Sequence, residues 1–177
     1  RVQLAALDDH VALGELDAST VAGAVDALQK SIAFAASLPD GPETMLDQLL
    51  LAEMYVLQGR HADALALYDA WLPSAAGDGF THEVAVALAD RGHCHLELGR
   101  EAEGHADLQA ALAQLDESTP SDVRAIVHAD MADALRRRGD KAADEHQLLA
   151  GMAWDTYAHE QREARRLLAA DPTETLH

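Results

Sequence analysis

The 177-residue chain has one cysteine, Cys94, and little aromatic content, 4% in all. A single thiol cannot close an internal disulfide, so nothing calls for an oxidising compartment and a cytoplasmic protein is expected. Scarce aromatics, beside a 49% hydrophobic content dominated by Ala and Leu, disfavour strand and favour helix. Basic residues are also few: 13 Lys and Arg stand against 31 Asp and Glu, a formal charge of −18. A field of that sign repels phosphate backbones and anionic bilayers, which sets nucleic acid and membrane aside as partners. No run approaches the roughly 20 apolar residues of a membrane span, and "RVQLAALDDH" lacks a signal-peptide layout. The first residue is not Met, which leads to the expectation that these residues begin inside a longer polypeptide.

Catalytic signatures are missing too. There is no nucleophile elbow, Walker glycine loop or dinucleotide fingerprint, so neither an enzyme nor a cofactor is expected from these residues. Of ten histidines, no two stand three or four apart. His93, Cys94 and His95 are consecutive, and helix positions i and i+2 point about 200° apart, so a shared metal is not expected. Asp155, His159 and Glu163 do share a helix face, which a solvated ladder of i,i+4 pairs explains.

What is present is a repeat. A shift of 40 residues aligns Gly59, Gly99 and Gly139, and with them Ala52, Gly92 and Ala132; Tyr68, Leu108 and Leu148; Leu72, Leu112 and Met152. Extended backward, the register reaches Ala12, Ser19, Ala22, Leu28 and Ile32, a more divergent first copy. Apolar residues at three and four, as in Leu65, Tyr68 and Leu72, make each unit a pair of helices, and the glycine marks where the first helix stops. The small residue seven before it admits a close helix partner. Turns are expected at 37–44, 73–80 and 116–122, rich in Pro, Gly, Ser and Asp, with Thr44, Ser121 or Asp122 as helix caps. The units are therefore about 5–44, 45–84, 85–124 and 125–152, followed by 153–177.

From Asp140 to Ala170 no Pro occurs and the only glycine is Gly151, so one helix of about thirty residues is expected. Leu148, Leu149 and Met152 suit the repeat core, while "HEQREARR" (159–166) reads as a charged connector. A capping helix folded back at Gly151 is the alternative.

Leu51, Ala52, Tyr55, Ala64 and Tyr68 carry a pattern that resembles the tetratricopeptide repeat (TPR), in the longer-helix variant of signalling proteins. Gln48 and His128 depart from it where a bulky apolar residue is usual; Arg91 replaces a Leu, His95 a Tyr and Asp144 the packing Ala. The resemblance implies an all-α fold, a right-handed α-solenoid of antiparallel helix pairs, four repeats with a long C-terminal helix. It also implies a concave groove lined by first-helix residues, among them Leu46, Leu49, Glu53 and Val56; Val86, Ala89, His93 and Leu96; Ile126, Asp133, Arg136 and Arg137. A protein or peptide segment in that groove is the expected partner, with a homodimer through the first repeat or the final helix as a further expectation. Repeats that clamp acidic chaperone tails carry Lys and Asn where this chain has Leu49, Leu50, Glu53, Ala89, Asp90 and His93, so that use is rejected.

The function expected is thus a non-catalytic interaction and regulatory module. Two alternatives come with it. The closing "RRLLAADPTETLH" resembles the junction into a GGDEF diguanylate cyclase domain at Asp171, Pro172 and Leu176, which implies an input region for cyclic di-GMP signalling. The other is the ligand-sensing repeat region of a transcription activator, with a small molecule in the groove.

Overall fold

The structure is a computed structural model that describes residues 17–38, 45–75 and 81–169. Within them the chain is all-α, seven helices and no strand. Helix α1 spans Ala18–Ala36, α2 Met45–Leu57, α3 His61–Ala75, α4 Thr81–Glu97, α5 Glu101–Gln114, α6 Ser121–Arg137 and α7 Ala142–Ala169. None is long and apolar enough to cross a membrane.

The three aligned glycines end α2, α4 and α6 in the same way. Gly59, Gly99 and Gly139 have φ of 71°, 75° and 68°, where a Cβ is strained. The next residue's N–H reaches back five: Arg60 to Tyr55 O at 2.8 Å, Arg100 to His95 O at 2.8 Å, Asp140 to Leu135 O at 3.0 Å. Each glycine N–H bonds three back, to Val56, Leu96 and Arg136. That pair of bonds is the Schellman arrangement, and it turns the chain sharply into the following helix.

The turn brings α2 against α3, α4 against α5 and α6 against α7; α2 also touches α4, and α4 touches α6. Close approach depends on the small residues seven before each glycine. Ala52 and Ala132 are fully buried, and a Cβ on Gly92 would stand 2.9 Å from Gly104 O in α5. The core falls into two clusters: one gathers α1 to α3 and one face of α4 around Tyr68 and Trp71, and the other α4 to α6 around Leu108 and Val127.

Several local expectations need correction. Asp17 caps α1 by accepting Thr20 N–H at 2.6 Å, so α1 begins at Ala18 and no turn falls at Ser19. The register nevertheless holds further along α1, where Leu28 and Ile32 pack on the first cluster as Leu72 does. Helix α3 runs on through Pro73 to Ala75 because Trp71 and Ala75 are both buried, so 73–75 are helix and not turn. Neither Ser121 nor Asp122 caps α6: Pro120 stands at that place, and Ser121 Oγ instead donates to Glu160 of α7 at 2.6 Å. Asp116 organises this loop, its Oδ1 accepting Ser118 N–H at 2.8 Å. Thr44, Ala12, the turn at 76–80 and the stretch 171–177 lie outside the described residues.

Helix α7 is one helix through Gly151, 28 residues and about 42 Å long. Its inner face differs from that expected. Leu148 is 64% and Met152 59% exposed, while Ala143 and Ala150 are buried against α6. Ala143 takes the buried place and the Asp144 carboxylate stays in water. The start of α7 differs from that of α3 at one bond: Asp63 and Ala143 N–H both reach three back, to Arg60 and Asp140, but Ala64 N–H reaches four back to Arg60 where Asp144 N–H reaches three back to Lys141. Leu148 and Met152 stand open because, among the described residues, no helix follows α7 as α4 follows α3 and α6 follows α5.

Candidate functional site

Three of the residues that depart from the repeat pattern, Arg91, His95 and His128, stand beside polar side chains of other helices. Arg91, in place of a Leu, donates to both Asp107 oxygens at 2.7 Å and to Asp69 Oδ1 at 3.1 Å, tying α4 to α5 and α3. His95, in place of a Tyr, stands 3.7 Å from Asp107. His128 meets His146 across the α6–α7 contact, Nδ1 to Nδ1 at 3.0 Å. Two imidazoles at that distance share a single proton, because one nitrogen must accept.

The twelve groove residues named from the sequence divide by burial. Leu49, Ala89 and Leu96 are buried in the core. Glu53, Val56, Val86, His93 and Ile126 are half-buried, and Leu46, Asp133, Arg136 and Arg137 are exposed. The polar members are coupled to one another: Arg137 pairs with Glu97, one repeat earlier, and Arg136 pairs with Asp133 and donates to Gln147 at 3.1 Å. The basic run 136–138 is thus engaged within the chain at Arg136 and Arg137. His93 turns to His61 of α3, ring centroids 5.6 Å apart, while His95 turns to α5, so the two diverge. Among the described residues no three His, Cys, Asp or Glu side chains are grouped to hold a metal ion.

The most unusual electrostatics belong to a row of carboxylates on α2, α4 and α6. Burial and the facing Asp90 push Glu53 up to about 7. Burial pushes Asp90 up to about 6, although the Tyr68 hydroxyl, donating at 2.8 Å, opposes the rise. Asp130 is raised well above the carboxylate range by burial and by Asp90 and Asp133. The same charges and burial raise the Cys94 thiol to about 12, so it stays protonated and unreactive. Successive first helices therefore contribute Glu53, Asp90 and Asp130 to one acidic line, and among the described residues no Lys or Arg pairs with any of the three.

Asp90 and Asp130 were not among the twelve. They stand 40 residues apart, with Leu50 at the equivalent place in the second unit, and that recurrence was the signal available. A separate cavity of about 480 Å³ lies between the 117–120 loop, α6 and α7, lined by Ser118, Thr119, Ser121, Thr156 and Glu160 among others. Its polar wall does not offer the apolar enclosure typical of a small-molecule site. Comparison of the chain with protein-family models, with curated proteins and with solved structures finds no match.

Proposed function

We propose that the chain is a non-catalytic protein-interaction and regulatory module. In this reading its helix pairs form a right-handed, TPR-like solenoid, and the inner face receives a Lys- or Arg-bearing segment of a partner protein. Three identical glycine turns at a 40-residue spacing, and contacts running α2 to α4 to α6, support the solenoid layout. The binding reading rests on one observation, the line of Glu53, Asp90 and Asp130.

A carboxylate held up by burial and by like charges is one whose ionised form lacks stabilisation. A cation arriving from a partner supplies it, at a site from which much of the water is already excluded. Of the groove residues, Leu49, Ala89 and Leu96 are taken up by packing between helices, while Leu46, Val56, Val86 and Ile126 remain at least partly exposed.

Fluorescence anisotropy tests this with a basic helical peptide and its Glu-substituted counterpart. The basic peptide should bind more tightly at pH 8 than at pH 5.5, with protons released on binding. The Glu53→Gln, Asp90→Asn pair should weaken it about tenfold, or ~1.4 kcal/mol. Equal binding of both peptides, or indifference to the double substitution, refutes the assignment.

A further inference from the structure

Every large apolar side chain that α2 exposes lies on one stripe: Leu46 is 56%, Leu50 44% and Leu57 55% exposed. At i, i+4 and i+11 they share a helix face, and Glu53 at i+7 stands among them. Glu53 feels the charge of Asp90 on α4, so the stripe opens on the side of the acidic line and not on the back of α2. Exposed apolar side chains scattered singly are ordinary, but a continuous row beside charges of one sign marks a contact surface.

The charges on the neighbouring faces of α4 and α6 select the occupant. Glu97 pairs with Arg137 and Asp133 with Arg136, which cancels those four. Burial depresses His93 below its ordinary value, so its imidazole adds no charge at pH 7. Glu53, Asp90 and Asp130 are left, and among the described residues no Lys or Arg pairs with them. A second copy of the chain, at a formal charge of −18, would bring the same carboxylates against themselves. A cationic partner meets no such opposition. The leucine stripe runs about 16 Å along α2, with the carboxylates of α4 and α6 to one side of it. An amphipathic helix offers apolar and charged side chains on adjoining sectors over that length, whereas an extended strand sends alternate side chains to opposite faces.

We infer that the occupant of this face is an amphipathic basic helix of a partner protein, its apolar side chains on Leu46, Leu50 and Leu57 and its Lys or Arg over Glu53, Asp90 and Asp130. The inference rests on the partner-binding reading above and adds to it the apolar half of the contact and the helical form of the ligand.

Fluorescence anisotropy on the full 177-residue chain tests it with a Leu/Lys amphipathic helical peptide and three counterparts. One has Gln in place of Leu at equal charge, one has Leu and Lys in strand-like alternation, and one has Glu in place of Lys. The amphipathic peptide should bind about tenfold more tightly than the Gln/Lys and alternating peptides. Leu50→Gln with Leu57→Gln, both at exposed positions, should leave the circular dichroism and the Gln/Lys binding unchanged and bring the amphipathic peptide down to that level. If the basic peptides all bind alike, or the leucine variant binds each as the original chain does, the inference falls while the basic-segment reading stands. If the Glu-bearing peptide binds as tightly as the Lys-bearing one, both fall. A sedimentation mass above 18.9 kDa that the leucine variant returns to 18.9 kDa would make a second copy the occupant and overturn the inference.

Discussion

Replacing Glu53 by Gln should stabilise the protein in alkaline solution and leave it nearly unchanged in acid. Glu53 is mostly buried on α2 and faces Asp90, which together lift its proton affinity from 4.5 to about 7. A group raised in this way binds its proton more tightly folded than unfolded. Its contribution is therefore fully present below about pH 4.5 and lost as pH rises through about 7. At 1.36 kcal/mol per tenfold change in proton affinity, the loss is at most roughly 3 kcal/mol; sharing with Asp90 and local relaxation bring the expected value to about 1–2 kcal/mol. Gln keeps the shape and never ionises, so it removes that loss. The assay is urea unfolding of both proteins at intervals from pH 4.5 to 8.5. The difference in stability should be near zero at the acid end and grow in favour of Glu53→Gln through pH 6–8. Histidines that titrate in the same window affect both proteins alike and cancel in the difference. A variant that is equally destabilised at every pH would show that Glu53 contributes through packing or hydrogen bonding, and would remove the basis for the acidic line.

Four further outcomes follow from the geometry. Arg91→Met strands the mostly buried Asp107 and should cost about 3 kcal/mol in urea unfolding, whereas Arg91→Met with Asp107→Leu should recover most of it by converting an ion pair to apolar packing. Gly99→Ala forces a Cβ into φ 75° and should cost about 1 kcal/mol. Gly23→Ala in α1, where a Cβ meets nothing within 4 Å, should gain up to about 1 kcal/mol in the same urea unfolding. Burial, His146 and Arg124 depress His128, so the folded state disfavours its protonation and stability falls as pH drops below about 6.5. His128→Leu should reduce that fall, and hydrogen exchange at pH 5.5 should show slower opening of α7 in the variant; equal exchange in both would refute it.

The helical content, the three glycine turns and the small residues at the helix contacts were legible because each is fixed locally. A left-handed residue needs Gly wherever it occurs, and 40-residue recurrence exposes it. What was not legible depends on which helix packs on which. Nothing in the spacing of Leu148 and Met152 distinguishes them from Tyr68 and Leu72; the difference is that α4 packs on α3 while, among the described residues, no further helix packs on α7. The candidate groove residues divide by burial. The register that assigned them places Leu49, Ala89 and Leu96 where packing consumes them, and leaves Leu46, Val56, Val86 and Ile126 at least partly exposed together with Glu53, His93, Asp133, Arg136 and Arg137. Thr44 and the stretch 171–177 fall outside the described residues, so the comparison does not extend to them.

The departures from the repeat pattern share one physical logic. An isolated Arg in place of a core Leu is costly, but Arg91 arrives with Asp107 and Asp69 positioned to receive it. A His at the place of an apolar side chain is tolerated where His128 has His146 to share a proton. Asp144 stands in water at the packing Ala position, and Ala143 beside it takes the buried place. Glu53, Asp90 and Asp130 differ: they are mostly buried, like in sign and repelling along the line, and among the described residues the hydrogen bond that eases them is the one from Tyr68 to Asp90. The Arg91 cluster, by contrast, is matched by carboxylates in cis. A row of like charges without such a match is where a cation from outside would add most, which is why that line, and not the better-paired Arg91 cluster, is the surface to probe with a basic partner.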